Sequence, residues 1–184
     1  MIAFWAYLPT NHEERLLRVE PADCGWWYLC PADGPATIAC FVTDPATARN
    51  LRPDLPVKWN DLFGATELHH QLADNPSTST VHVALTGLAA LPKTHGSRWI
   101  AAGDAAGKLD PLGSSGTATA LDSGQRAAHA IAEALRGNTA SLDNYSRWSA
   151  GLVTEFARQR RQQYEYEARR KENDFWSRRI LVAA

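Results

Sequence analysis

A glycine-rich turn near the middle of the chain joins a short apolar run to a long helical pattern. The apolar run RWIAAG (98–103) stops at Gly103-Asp104, and the turn AAGKLDPLGSSG (105–116) leads into TATALDSGQRAAHAIAEALRG (117–137). Small or apolar residues recur in the last stretch with the spacing of one helical face, namely at Ala120, Gly124, Ala127, Ala128, Ile131 and Leu135. Gly137 and Asn138 are typical of a helix end. The sequence therefore predicts a strand, a turn and a helix in that order.

The segments on either side predict a sheet before this unit and a helical tail after it. Runs rich in β-branched and aromatic residues lie at 2–8, 15–20, 24–30 and 36–43, separated by turn residues. The turn at 31–34 predicts a hairpin over 24–43, and Asp44-Pro45 predicts a helix start. A helix over 56–73, a strand over 79–88 and a long helix from Ser141 follow. We expect an α+β or α/β fold in three segments, 1–95, 96–139 and 140–184.

Composition and charge exclude several classes of protein. With 45% hydrophobic and 21% charged residues in 184, the chain can bury a core and is not a disordered sequence. No apolar run approaches the ~18 residues of a membrane helix, and no basic region precedes the apolar start as in a secretory leader. The net charge of −1 combines an acidic first half with a basic tail, so no basic domain predicts nucleic-acid binding.

The cysteine pattern predicts neither a disulfide framework nor a metal site. Cys24, Cys30 and Cys40 form no C-x-x-C pair, and the adjacent His69 and His70 have no second pair of ligands at metal spacing. Free thiols in a reducing cytoplasm are therefore expected.

The central turn contains residue types that can hold a polar, flat ligand. Asp104 directly follows the apolar run, so its carboxylate could accept hydrogen bonds from the hydroxyls of a sugar or polyol. Gly113 and Gly116 lack side-chain bulk, so backbone N–H groups could approach a ligand closely. The start of the following helix adds about half a positive charge, which favours an electron-rich group. An ordinary strand-to-helix turn capped by Ser115 is the alternative interpretation of the same residues.

The whole pattern resembles a known cofactor motif. GDAA, DP, the serine and glycine run, and A-L-x-S-G-x-x-A-A together resemble the second FAD motif of the p-hydroxybenzoate hydroxylase-like flavoproteins, over about residues 98–136. The resemblance implies that Asp104 binds the ribityl chain of FAD. It also implies that the pyrimidine side of the isoalloxazine ring lies against a set of turn residues: Asp110, Pro111, Gly113, Ser114, Ser115 and Gly116. Amide groups at a helix start would stabilise the negative charge of reduced flavin.

Two further segments narrow the resemblance. GWWY (25–28) followed by a strand that ends in Thr-Asp, and the carboxyl-terminal QYEYEAR (163–169) and FWSRR (175–179), are similar to segments of monooxygenase-like maturation proteins of quinone-cofactor enzymes and of tryptophan-halogenase-like enzymes. This implies an FAD-dependent oxidoreductase of monooxygenase type, with an aromatic small molecule or a Trp or Tyr side chain of a partner protein as substrate. Trp26, Trp27 and Tyr28 are then candidates for a substrate pocket.

Several alternatives stay open at this point. The resemblance equally fits a flavin-dependent halogenase, and the sequence identifies no catalytic residue. The chain contains no G-x-G-x-x-G, the motif that binds the FAD pyrophosphate in complete relatives. The resemblance is therefore to the carboxyl-terminal portion of the family, and we expect weak or no FAD binding by the isolated chain. A non-catalytic fragment, or one half of a split flavoprotein with a separate amino-terminal flavin-binding half, is the third hypothesis.

Overall fold

The computed structural model describes residues 1–9, 16–72, 76–170 and 172–180. The chain forms two compact units, one from Met1–Leu85 with Glu167–Ala184 and the other from Thr86–Tyr166. The three predicted segments, 1–95, 96–139 and 140–184, do not coincide with these units, because the carboxyl-terminal segment is divided between both. The mixed fold class is confirmed, with an antiparallel sheet in the first unit and two long helices in the second.

The first unit contains a five-stranded antiparallel sheet. Its strands are β1 (Ile2–Pro9), β2 (Arg18–Ala22), β3 (Gly25–Pro31), β4 (Ala36–Thr43) and β5 (His82–Leu85), in the order β2-β3-β4-β1-β5. The predicted hairpin over 24–43 is confirmed, with Gly25 opposite Thr43 and Pro31 opposite Thr37. The strand predicted at 15–20 begins only at Arg18, and residue 15 lies outside the described part of the chain.

One face of this sheet and three short helices enclose the core of the first unit. The helices are α1 (Pro45–Leu51), α2 (Leu55–Gly64) and α3 (Glu67–His70). The main buried side chains are Phe4, Leu8, Trp27, Leu29, Phe41, Leu51, Trp59, Phe63 and Leu68. The single helix predicted over 56–73 is two helices, because the Thr66 hydroxyl accepts a hydrogen bond from the His69 N–H (3.0 Å) and starts a new one. Residue 73 lies outside the described ranges.

The second unit is built mainly from two helices, α4 (Gly116–Leu135) and α5 (Ala140–Glu165). Short strands precede them: β6 (Ala89–Ala90) pairs with β9 (Gly107–Lys108), and β7 (His95–Gly96) pairs with β8 (Trp99–Ile100). The apolar strand predicted over 98–103 is therefore only two residues long and lies in a hairpin. Its hydrogen-bonding partner is the adjacent segment, His95–Gly96.

The helix α4 begins and ends as predicted, and only part of its predicted apolar face is buried. Gly137, at φ +100°, donates to the Ala134 carbonyl at 3.0 Å and ends the helix. Ser123, Ala127 and Ala130 are buried, whereas Ile131 and Leu135 are exposed. Of the predicted apolar face, Ala127 is buried, Ala120 and Gly124 are half-buried, and the other three members are exposed, because α4 packs on α5 through its small residues.

The helix α5 begins at Ala140, with Thr139 at its N-cap position, so Ser141 is not the cap predicted from the sequence. The Ser141 hydroxyl instead donates to the Ala130 carbonyl at 2.8 Å and ties α5 to α4. The last helix, α6 (Asp174–Ile180), belongs to the first unit. Its Trp176 indole N–H donates to the Ala22 carbonyl of β2 at 2.8 Å.

Candidate functional site

The turn at Gly103-Asp104 is fixed against α4. Gly103 lies at φ +57°, its N–H donates to the Ser123 hydroxyl at 2.7 Å, and a β-carbon at this position would lie 3.3 Å from that of Ala120. Glycine is therefore the residue that this backbone accepts without strain. Asp104 is exposed on the resulting 3₁₀ turn, Gly103–Ala105, so its carboxylate can accept hydrogen bonds from a ligand.

Asp110 has a different role, because only 1% of its surface is exposed. One carboxylate oxygen accepts from the Leu112 N–H at 3.1 Å and starts the 3₁₀ turn Pro111–Gly113. The other accepts from the Tyr164 hydroxyl at 3.4 Å and lies 3.8 Å from the Arg160 guanidinium. Asp110 therefore anchors the turn to α5. Sequence reasoning missed Tyr164 and Arg160 as its partners, although Tyr164 belongs to the aromatic and acidic segment that carried the resemblance.

Gly113 and Gly116 lie at opposite ends of the next four residues and meet different surroundings. A β-carbon on Gly113 would lie 2.6 Å from two ring atoms of Phe156, so this glycine is required for packing against α5. A β-carbon on Gly116 would meet no atom within 4 Å. Ser114 between them adopts the left-handed conformation, at φ +49°. Of the two glycines, only Gly116 leaves space for a ligand.

The start of α4 has properties that a cofactor would satisfy. Ser115 occupies the N-cap position but its side chain accepts no capping hydrogen bond. Among the described residues, its hydroxyl oxygen is buried and has no hydrogen-bond partner. A buried hydroxyl without a partner costs about 1–3 kcal/mol. The orphaned hydroxyl, the open Gly116 and the positive end of a 20-residue helix dipole together fit an electron-rich group.

The three aromatic residues predicted to line a pocket are divided between the two faces of the sheet. Trp27 lies in the core, with ring centroids 4.8 Å from Phe41 and 5.2 Å from Trp59, and cannot line a pocket. Side chains alternate along a strand, so Trp27 faces the core while its two neighbours face the other side. Trp26 and Tyr28 share the other face, with centroids 5.8 Å apart; Trp26 is buried there, at 2% exposure, and Tyr28 is half-buried.

Sequence reasoning did not include the aromatic residues of β1 and β5 on that second face. Cys40 of β4 lies opposite both Tyr28 of β3 and Trp5 of β1, so all three side chains share a face. The Trp5 ring stacks on His82 of β5, with centroids 4.3 Å apart, and contacts Tyr7 edge to face. The alternation of aromatic residues in IAFWAYL was the signal for this, since Trp5 and Tyr7 are two positions apart.

Burial shifts the pKa of two side chains on this face, the Cys40 thiol and the Tyr28 phenol. Burial raises the pKa of the Cys40 thiol to about 12, partly offset by a hydrogen bond with Tyr28. Burial also raises the pKa of the Tyr28 phenol far above its usual range, and the Cys40 thiol adds to this effect. Both groups are therefore neutral at physiological pH, and Cys40 is not a thiolate nucleophile.

A cavity of about 540 Å³ lies between α4 and α5 and contains none of the predicted turn residues. Arg126 lies over the Trp148 ring there, 4.6 Å from its centroid.

Among the described residues, no group of three His, Cys, Asp or Glu could hold a metal ion. The helices that the structure describes include none long and apolar enough to cross a membrane. Cys24, Cys30 and Cys40 are free thiols.

Comparisons with known proteins agree with the cofactor motif. The chain is 29% identical over 182 residues to LodB of Marinomonas mediterranea, which is named as an FAD-dependent oxidoreductase; the match covers 96% of this chain and 47% of LodB. Two solved structures have the same fold. The flavin-dependent halogenase CmlS matches with a TM-score of 0.90 at 18% identity, over 100% of this chain and 35% of its own. The tryptophan dihydroxylase QhpG matches with a TM-score of 0.85 at 23% identity, over 97% of this chain and 42% of its own.

The chain has the fold of part of a flavin-dependent oxidoreductase. The predicted resemblance to the p-hydroxybenzoate hydroxylase-like flavoproteins is thereby confirmed, since these relatives are flavin-dependent oxidoreductases, halogenases and hydroxylases. No family model matches the sequence. The chain spans about half the length of the curated relative that it matches.

Proposed function

We propose that this chain is the substrate-sheet and flavin-contact portion of an FAD-dependent oxidoreductase of monooxygenase type. The observation that carries the proposal is the start of α4, where an orphaned Ser115 hydroxyl and an open Gly116 lie at a helix start that has no side-chain cap. The similarity to LodB over 96% of the chain supports the cofactor assignment. Asp104 would bind the ribityl hydroxyls, and the backbone of Gly113–Gly116 would lie against the pyrimidine side of the ring.

These residues would bind and polarise the flavin and would not themselves react. FAD, when bound, supplies redox chemistry with dioxygen. Amides at the start of α4 would stabilise negative charge on the adjacent side of the ring. Asp110 would keep those amides in place, because its two oxygens are held by Leu112, Tyr164 and Arg160.

The proposed substrate is an aromatic ring, with a Trp or Tyr side chain of a partner protein as the preferred form. QhpG, which shares the fold, is named as a peptidyl tryptophan dihydroxylase. The aromatic face of the sheet supports a large substrate, since Tyr7 and His82 are exposed and Trp5 is half-buried. Apolar and aromatic surface of this kind favours contact with another ring.

The test is reconstitution with a flavin-binding polypeptide that contains G-x-G-x-x-G. The loaded complex should consume NAD(P)H and oxygen in the presence of a Trp- or Tyr-containing peptide, and mass spectrometry should detect oxygen added to the ring. A complex that retains FAD but oxidises no aromatic acceptor would contradict the monooxygenase proposal.

A halogenase is the second candidate, favoured by the TM-score of 0.90 with CmlS. Chloride or bromide in the same assay separates the two, because a halogenase attaches the halide to the ring and a hydroxylase does not. A fragment without catalytic function is the third candidate. It predicts that the reconstituted complex neither oxidises nor halogenates an aromatic acceptor, whereas both enzyme candidates require turnover with bound FAD.

A further inference from the structure

Trp5 and His82 form an open aromatic pair where the second face of the sheet reaches its edge strand, β5. The two residues lie opposite each other in the pairing of β1 with β5, and their rings stack with planes inclined by 23°. His82 is exposed. Within the described ranges, its imidazole makes no hydrogen bond to another residue. The stack therefore orients the imidazole while both of its nitrogens stay available to a ligand.

The other polar groups of this face differ from His82 in one respect or another. Tyr28 and Cys40 form a hydrogen bond with each other, and burial keeps both groups neutral. Tyr7 is exposed, but its phenol contains no nitrogen and its ring contacts Trp5 edge to face. A neutral imidazole has one nitrogen without a hydrogen, which is a hydrogen-bond acceptor. His82 therefore supplies the exposed acceptor nitrogen of this face.

The residue pair next to Trp5 and His82 is small. Side chains two positions apart along a strand share a face, so Ala3 and Ala84, which lie opposite each other, follow Trp5 and His82 on this face. Ala84 is exposed. The side chains thus change from two rings to two methyl groups along the strands, which leaves space for a third ring beside the edge of the imidazole. We call this space the His82 notch and define it by these four residues.

We propose that the His82 notch binds the aromatic ring of the substrate and that His82 selects rings that carry a polar hydrogen. The inference rests on the proposed function and specifies which rings the site accepts. The acceptor nitrogen of His82 takes a hydrogen bond from an indole N–H or a phenol O–H. A phenyl ring has no such hydrogen, so it would bind while leaving this nitrogen without a partner. The site therefore favours Trp and Tyr side chains over Phe.

Two peptides that differ by one methyl group test the selection. One is a tripeptide with tryptophan at its centre, and the other is the same tripeptide methylated on the indole nitrogen. In NMR titrations of the chain, the unmethylated peptide should have a Kd about threefold to tenfold lower, the range for one neutral hydrogen bond. At equal saturation, the imidazole nitrogen resonances of His82 should shift with the unmethylated peptide and much less with the methylated one.

Substitution separates the hydrogen bond from the bulk of the added methyl group. His82→Phe keeps a ring that can stack on Trp5 and removes both nitrogens, so the two peptides should bind this variant equally. An effect of bulk alone would persist in it. The matched control is His70→Phe on α3, an exposed histidine of the same unit, which should keep the preference of the unchanged chain. Circular dichroism verifies the fold of both variants.

Three results would overturn the inference. The first is equal binding of the two peptides by the unchanged chain, or measurable binding of neither. The second is a preference that persists in His82→Phe. The third is an equal shift of the His82 nitrogen resonances with both peptides, which is measured on the unchanged chain and so does not depend on the folding of any variant.

These titrations need no flavin, so the inference and the proposed function can fail separately. A preference that disappears in His82→Phe would retain the His82 notch even where the reconstituted complex with FAD oxidises no aromatic acceptor, which contradicts the monooxygenase proposal. Equal binding of both peptides, with oxidation of both at equal rates by that complex, would retain the proposed function and overturn the role of His82.

Discussion

At the scale of single residues, Asp44 and Arg179 explain why two distant sequence segments occur together. Asp44 is the Asp of the Thr-Asp pair at the end of β4, and Arg179 belongs to FWSRR near the end of the chain. The Arg179 guanidinium contacts both carboxylate oxygens, at 2.6 and 3.4 Å, and Arg178 adds a contact at 3.1 Å. Both side chains of the central pair are only 11% exposed. Sequence resemblance identified both segments, but the pairing required the structure because 135 residues separate the partners.

Removing the charge of Asp44 should destabilise the first unit. Breaking a buried ion pair from one side leaves the other charge without compensation, so Asp44→Asn should lower the free energy of unfolding by about 2–3 kcal/mol. Tryptophan fluorescence during urea unfolding is the measurement, since Trp27 and Trp59 lie in this core. The control is Glu165→Gln in the exposed Arg161 pair, where a change below about 1 kcal/mol is expected. Equal effects of the two substitutions would contradict the importance of the buried pair.

The thiol of Cys40 should make stability fall at alkaline pH. Burial raises the pKa of Cys40 from 9.0 to about 12, so the unfolded chain loses this proton before the folded chain does. The protonated Cys40 thiol contributes fully to the free energy of unfolding below pH 9. This contribution is lost as pH rises towards 12, at about 1.4 kcal/mol per pH unit. Cys40→Ser should therefore reduce the slope of unfolding free energy against pH between 9 and 10. Cys24, whose pKa burial also raises, retains its own part of the slope. Identical slopes for the two proteins would contradict this origin.

At the scale of elements, the sequence predicted those features that depend on residues close together in the chain. The hairpin β3–β4 and the end of α4 at Gly137 follow from turn and capping residues, which act over a few positions. The partner of the apolar run at 98–103 does not follow from local pattern, and it is the adjacent β7. Local pattern also does not determine which residues of α4 are buried. Two apolar faces satisfy helical periodicity there, and only the position of α5 decides between them.

The contact between the 3₁₀ turn Pro111–Gly113 and α5 should be sensitive to one methyl group. A β-carbon on Gly113 would lie 2.6 Å from the Phe156 ring, so Gly113→Ala should cost about 1–3 kcal/mol through overpacking. Thermal unfolding followed by far-ultraviolet circular dichroism measures it. Gly116→Ala is the matched control, because no atom lies within 4 Å and stability should be unchanged or slightly raised.

A double substitution tests the cause of that loss. Phe156→Leu removes the clash, so Gly113→Ala should cost much less in its presence than alone. Additive losses in the two backgrounds would contradict direct contact as the cause and would indicate strain in the backbone instead.

At the scale of the whole molecule, the two units carry different parts of the proposed chemistry. The aromatic face of Trp5, Tyr28 and His82 belongs to the first unit, and the flavin turn belongs to the second. Each unit has a hydrophobic core of its own. Because each unit has a core, we expect the chain to fold without the cofactor. Its stability and its binding of the cofactor can then be measured separately.

The isolated chain should fold but bind FAD weakly. Among the residues with a proposed role, Asp104 is exposed and the Gly113–Gly116 backbone would contact one end of the cofactor, while no G-x-G-x-x-G is present for its pyrophosphate. Few contacts cannot offset the loss of ligand freedom on binding, so we expect a Kd well above about 1 µM. Titration with FAD followed by flavin fluorescence and calorimetry is the measurement.

Adding the flavin-binding half should lower this Kd by orders of magnitude, because the contacts of both halves then act on one ligand. Gly116→Leu should reverse much of that gain without changing the folding of the isolated chain, since its side chain would occupy the space left for the ring. A stable yellow complex of the isolated chain at about 1 µM or tighter would contradict the prediction. It would mean that the start of α4, with its dipole and the Ser115 hydroxyl, binds flavin without any pyrophosphate site.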